Sequence, residues 1–248
     1  MHQPLLIYGD YAADVTVALA GAVSGQVGED VLQGDEDTYV SPISTALTLT
    51  IDLQSACLTG VLAIAGENLN GVLLQVHGST DNLGSSDAQL SGTAPLAGFT
   101  AAWLAYQSAS YRYLRLTFTD TTPDMRIYHV ALGPLQLLPF MEDGADLDRF
   151  TSTTNHILGY QGQFFGSQKV KTERKLDLSW GQIMESEYPV FLAWAIACVQ
   201  SPQAFFFVPD SSNSTCHFGY VDPGYTFSAP MKAGLRTLAK IPFTSRFA

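Results

Sequence analysis

Apolar and polar positions alternate, or run apolar over short stretches, at five places in the first 140 residues. These are TALTLTID (Thr45–Asp52), GVLAIAG (Gly60–Gly66), GVLLQVHGS (Gly71–Ser79), YRYLRLTFT (Tyr111–Thr119) and MRIYHVALG (Met125–Gly133). Each is bounded by turn chemistry such as GENLNG and STDNLGSSD, so each predicts a β-strand. Short strands without long intervening helices predict an all-β sandwich or jelly roll. In YRYLRLTFT, Leu114, Leu116 and Phe118 share one face, and Tyr113, Arg115, Thr117 and Thr119 share the other. Arg112 is in phase with the leucines at the strand's start, where its stem lies on apolar surface and its head reaches outward. The pattern either pairs it with a carboxylate such as Asp52 or Asp81 or offers it to a ligand anion.

Around Leu135–Asp148 the pattern changes, with Pro134 and Pro139 followed by a Gly/Asp-rich stretch that reads as a linker. The predicted division is a sandwich domain over 1–138, with an N-terminal arm, and a second β domain over 139–248. In the second, KVKTERKLDLSW (Lys169–Trp180), AFFFVPD, CHFGYVD and LRTLAKIPFTSRF read as strands. ESEYPVFLAWAIACVQ (Glu185–Gln200) predicts a helix over 186–199, capped by Ser186 and with Pro189 in its first turn. From Val190 to Val199 that helix is apolar on every side. It must be covered all round, by its own sheet or by another copy of the chain. Val190, Phe191, Trp194 and Ile196 are the candidate subunit-interface residues.

Charge sharpens the division. Residues 1–111 hold no Lys or Arg and eleven Asp and Glu, whereas 112–248 hold twelve of each, so the first part carries the whole net charge of −11. A grip on nucleic-acid phosphates needs a basic stripe and is excluded. Three cysteines without C-x-x-C spacing predict neither a disulfide framework nor a zinc knuckle. The start MHQPLLIYGD lacks the pattern of a signal peptide, which predicts assembly in a reducing cytoplasm. The longest apolar run, VFLAWAIACV, would span roughly 15 Å as helix, about half a bilayer, so no membrane insertion is predicted.

Catalytic motifs are missing: there is no G-x-S-x-G, H-E-x-x-H, P-loop or G-x-G-x-x-G, and GYQGQFFG has its glycines at other spacings. No enzyme activity and no cofactor are expected. His77 and His129 fall singly in strands and read as structural. The acidic stretch Gly28–Tyr39 offers hard oxygens for Ca²⁺ but lacks the alternation of an EF-hand, and otherwise reads as a solvated loop. Trp103, Tyr106, Tyr111 and Tyr113 either form core and edge of the sandwich or stack on a sugar ring. On the second alternative, Trp103 and Tyr106 with Asp81 are the candidate glycan-binding residues.

Asp52-Leu53, Gly66-x-Asn68, Gly78-Ser79, Tyr113-Leu114-Arg115-Leu116 and the closing Val130–Gly133 together resemble a galactose-binding-like (discoidin-type) jelly roll over residues 40–135. The whole order, from PLLIYGDYAADVTVALAG to RKLDLSWGQIMESEYPVFLAW and a strand-rich end, is similar to minor tail proteins of tailed bacteriophages, including distal-tail-type proteins. That resemblance implies a structural virion protein at the tail tip, assembled in the host cytoplasm. Its tail-tube-like second domain would form a homo-oligomeric ring connecting tube to hub or baseplate proteins, with the jelly roll projecting outward. The usual domain order of that family is reversed here. The other function expected is a carbohydrate-binding module that contacts host surface polysaccharide.

Overall fold

The computed structural model describes residues 3–9, 15–33, 38–82, 87–98, 100–135, 137–139, 141, 146–158, 164–200, 203–232 and 235–245. Its elements begin with β1 (Leu5–Ile7), β2 (Thr16–Ala20), the single turn α1 (Asp30–Gln33), β3 (Ala46–Glu67) and β4 (Leu73–Ser79). There follow β5 (Ala88–Gln89), β6 (Ala94–Pro95), β7 (Ala101–Thr119), β8 (Arg126–Gly133), β9 (Asp146–Leu158) and β10 (Phe164–Ile183). Next, α2 (Tyr188–Ala195) runs into a π-helical turn (Ile196–Gln200), before β11 (Phe205–Val208), β12 (His217–Val221), β13 (Met231–Lys232) and β14 (Leu235–Ser245). The protein is mainly β, as the alternation predicts.

Two compact units form: Met1–Leu138 with Gln203–Phe218, and Pro139–Pro202 with Gly219–Ala248. Residues 203–218, assigned from sequence to the second domain, pack with the first because β11 pairs antiparallel with β1, Leu6 opposite Phe207.

The first unit is a sandwich built on two long strands that each serve both layers. Residues 46–52 of β3 and 113–119 of β7 lie side by side, flanked by β2 and β4. Farther along, 61–65 of β3 pairs with 101–105 of β7, and β8 adds on the other side of β3. Register breaks at Asp52/Cys57 and Thr59/Val61 mark the corner where both strands cross over, the usual work of β-bulges. The sequence reading has two strands where the structure has one of 22 residues, because pairing with β7 lapses only over 53–56 and resumes at Cys57 opposite Tyr111. Between the layers, Leu47, Leu49, Ile51, Leu114, Leu116 and Phe118 meet Leu62, Ile64, Val130 and Leu132 in a closed core.

Arg112 braces that corner. Gln54 sits at φ +63°, and its N–H donates to Asp52 Oδ1 at 2.8 Å. The Arg112 guanidinium grips both oxygens of the same carboxylate, Nε to Oδ1 and Nη2 to Oδ2, each at 2.8 Å. This pairing with Asp52 is one of the two read from the strand's phase. The Arg112 fork holds the Asp52 carboxyl below its ordinary range. Such a lowered carboxylate stabilises the fold above its unfolded pKa, and the contribution is lost as pH falls through the folded value. Arg112→Ala is therefore expected to destabilise the fold modestly at neutral pH, an effect kept small by solvent screening. The deficit should shrink toward pH 3, as urea titrations at the two pH values would show.

The second layer is buried on its outer face as well, through Val61, Ala63, Ala65, His129 and Ala131. His129 stacks on Phe206 with ring centroids 5.8 Å apart and lies 5.4 Å from the Phe218 ring. The sandwich leaves and rejoins the chain at one place: Leu5 bridges Leu137, and the Leu138 N–H donates to Pro4 O at 2.9 Å. It is built as an excursion between β1 and Leu138, with its two ends hydrogen-bonded.

In the second unit, Gly219–Val221 pairs with β14, β14 with β10, and β10 with β9. Trp180, Leu176, Leu178, Ile183, Leu238, Ile241 and Phe243 are buried along it, with Phe191 and Trp194 of α2. Trp180 and Phe191 meet edge to face at 5.0 Å, and the Trp180 indole donates to Pro139 O at 3.0 Å. Two helix expectations change. The N-cap is Glu187 without a side-chain cap bond, not Ser186; the Glu187 carboxylate accepts the Met184 N–H instead, at 2.8 Å. Burial is also one-sided: Phe191, Trp194, Ala195 and Cys198 face inward, while Leu192 and Ile196 are 38% and 50% exposed. Of the four proposed interface residues, Phe191 and Trp194 belong to their own unit's core, Val190 is half-buried, and Ile196 is open.

Candidate functional site

The outward face of the first sandwich layer gathers polar side chains in cross-strand rows. Strand alternation puts Thr48, Thr50 and Asp52 of β3 on this face, with Tyr113, Arg115 and Thr117 of β7 and Gln75 and His77 of β4, all half-buried. Register then aligns Thr50 with Arg115, Arg115 with His77, and His77 with Gln89 of β5. Four neighbouring strands about 4.8 Å apart make this row roughly 15 Å long. Gly78, next to His77, faces the other way: a Cβ there would stand 2.4 Å from the Tyr111 ring, which packs against the core side of β4.

Asp87, just before β5, ties the row together. Its Oδ1 is 2.9 Å from His77 Nδ1, and its Oδ2 accepts from Arg115 Nη2. Arg115 Nη2 also lies 3.3 Å from His77 Nδ1. A guanidinium has no lone pair to offer, so Nδ1 cannot donate to Asp87 and accept from Arg115 at once. The shorter contact directs Nδ1 at Asp87 and leaves Nε2 as the ring's other hydrogen-bonding atom. The face thus combines an imidazole, a guanidinium with donors to spare, a carboxylate and an amide. It suits a ligand that both donates and accepts at closely spaced atoms.

The residues named from sequence lie elsewhere. Trp103 is on the outer side of the second layer, partly exposed, and its indole donates to Asn213 O at 3.1 Å. Tyr106 is in the sandwich core, where burial pushes its pKa up to about 12. Asp81 is exposed in the turn after β4 and accepts from Ser79 Oγ at 2.8 Å. The three do not form one aromatic platform: one belongs to the core, one to the second layer, and one to a turn. His77, read from sequence as structural, and Arg115 are the pair the structure brings together. Both stand on the polar side of their strands' alternation, which is the signal that could have joined them.

Among the described residues no group of three or more His, Cys, Asp or Glu could hold a metal ion. Residues 34–37 of the acidic stretch lie outside the described residues. Of the others, Glu29 is occupied in accepting the Val17 N–H at 3.0 Å, and Val31 is fully buried. Cys57, Cys198 and Cys216 are not joined in disulfides. No helix among the described residues is long and apolar enough to cross a membrane.

No protein family and no curated protein matches the chain. Solved structures similar to it include carbohydrate-binding modules of family 32 from Clostridium perfringens. One, from a family 31 glycoside hydrolase, is 17% identical, covers 51% of this chain and 98% of its own, with a TM-score of 0.42. Another, solved with galactose, is 11% identical over 52% of this chain and 98% of its own, TM-score 0.42. A third is 12% identical over 50% and 95%, TM-score 0.41.

Proposed function

We propose that this chain is a non-catalytic binding protein whose sandwich holds a surface glycan on the β3–β7–β4–β5 face. The observation that carries the reading is the row Thr50–Arg115–His77–Gln89 closed by Asp87. Sugar hydroxyls donate and accept at once, and here an imidazole, guanidinium donors and a carboxylate acceptor stand at neighbouring positions. Charge-assisted hydrogen bonds of this kind are the strong ones, and each orients its partner. With Arg115 matched by Asp87, the face favours a neutral sugar over an anionic one.

Isothermal titration of the full chain against host-surface polysaccharides and their oligosaccharides tests this. Losing the Arg115 donors in Arg115→Ala is expected to weaken binding roughly 10- to 100-fold. The exposed Gln89→Ala should give a smaller loss with the fold unchanged. Binding that survives Arg115→Ala, or is abolished only by Trp103→Ala, moves the site off this face and overturns the proposal; so does a wild-type chain that binds no glycan.

One observation favours a second reading, that of a structural subunit of a phage tail tip which assembles into a ring and docks to other tail proteins in the virion. Leu192 and Ile196 remain exposed one turn apart on α2 and its π-helical extension, and Met184, 59% exposed, lies in the same unit. An apolar strip of this kind is commonly covered by a partner.

A further inference from the structure

We propose that the β9–β10 ribbon is an assembly edge, on which β9 of one copy adds to the open β10 edge of a second copy of this chain. The pairing shows why. β14 runs beside β10 from Arg174 to Ile183, whereas β9 runs beside it from Phe164 onward. Among the described residues, Phe164–Glu173 therefore has a strand on one side only. Among the described residues β9 is the terminal strand of its sheet, with no strand on its far side. About ten residues of two-stranded ribbon, roughly 33 Å, extend beyond three-stranded support. Two strands alone are marginal in water, and a third is what makes such a structure persist.

The amino-acid sequence offers no apolar substitute for that third strand. RFTSTTNHIL and FFGSQKVKTE, over 149–158 and 164–173, are dominated by Thr, Ser, Asn, Gln and Lys and lack a sustained apolar alternation that would bury a face. What they do offer is backbone. The β9 edge is 13 residues long and the open β10 edge about ten, so each matches the other in length. Charge chooses between the two ways of pairing copies. β9 carries Asp146, Asp148 and Arg149, a net −1, and the open stretch of β10 carries Lys169, Lys171 and Glu173, a net +1. β9 against β9 would set like net charges together; β9 against β10 sets opposite ones. Lysines on an edge also discourage indiscriminate pairing, so an acidic strand is the one admitted. The contact is head-to-tail, and it continues through further copies until a ring closes or a filament grows. It is independent of the glycan-binding reading.

Light scattering on the full chain over a range of concentrations tests it. The expected result is a multiple of the chain mass, falling to one chain when residues 154–170 are replaced by Asn-Gly, which joins the still-paired Thr153 and Lys171 by a two-residue turn. Hydrogen exchange on the unaltered chain provides a second measure: protection of the β9 amides should rise with protein concentration. A wild-type chain that stays single at submillimolar concentration overturns the proposal, as does β9 exchange independent of concentration. An oligomer that survives the replacement but dissociates in Leu192→Ser/Ile196→Ser puts the interface on the helix and overturns it too. Glycan binding should be the same with or without the ribbon.

Discussion

Lowering the pH from about 6.5 to 4 is expected to cost the fold on the order of 3 kcal/mol through His129 alone. The ring is fully buried against Phe206 and Phe218, and among the described residues neither nitrogen has a hydrogen-bond partner at ordinary geometry. Burial, offset only weakly by the Val31 backbone, pushes its pKa down from 6.5 to about 4. In that window the unfolded chain takes up a proton that the folded chain refuses, so stability is full above pH 6.5 and drains away as pH falls to the folded value. A difference of about 2.5 pH units at 1.36 kcal/mol per unit sets the size. Carboxylates such as Asp52 titrate lower and add their own slope, so the clean comparison is between wild type and His129→Phe. The variant keeps an aromatic ring in the stack and has nothing to protonate. Urea unfolding at pH 7 and pH 4.5 should show the wild type losing substantially more than the variant, and equal losses would show that the ring is hydrated or paired.

The two sides of the helix should respond very unequally to truncation. Trp194 is completely buried and its ring meets Phe227 edge-on at 6.4 Å, so Trp194→Ala is expected to cost about 3–5 kcal/mol through lost contacts and the cavity left behind. Leu192→Ser with Ile196→Ser, on the exposed side, should cost only about 1 kcal/mol in sum, mostly helix propensity. Thermal melts of the two proteins decide it. If the serine variant loses as much as the alanine variant, the outer side is also covered, and the second reading of function gains its interface.

How much of this could be read in advance depends on the range of the interaction. The strands and the faces they present were legible, because alternation in YRYLRLTFT says which residues face inward without reference to any partner. Arg112 was legible for the same reason: a cation in phase with leucines at a strand's start needs an anion, and Asp52 was among those named. The polar row was only half visible. Arg115 and His77 each stood on the polar side of their strands, yet nothing in the chain says that β4 lies beside the second half of β7. Trp103 and Tyr106 were drawn toward a sugar because an aromatic's composition is the same in a core, under a loop, or on a platform. The helix was found, but its apolarity on all sides overstated its coverage, since alanines and leucines leave no mark of which side will be open.

Taken alone, then, the order of residues determined the β character of the protein, the inward and outward sides of its strands, the acidic first part and the need for at least one brace at Arg112. These follow from local sterics and from the period of a strand, which act over a few residues. Only the tertiary structure decided that β3 and β7 each serve two layers, that β1 meets β11 some two hundred residues later, that His129 is buried against two phenylalanines, and that Arg115, His77 and Asp87 converge. Those outcomes depend on which distant surfaces come together, and that choice is made by the packing of the whole chain, where no short stretch carries the deciding energy.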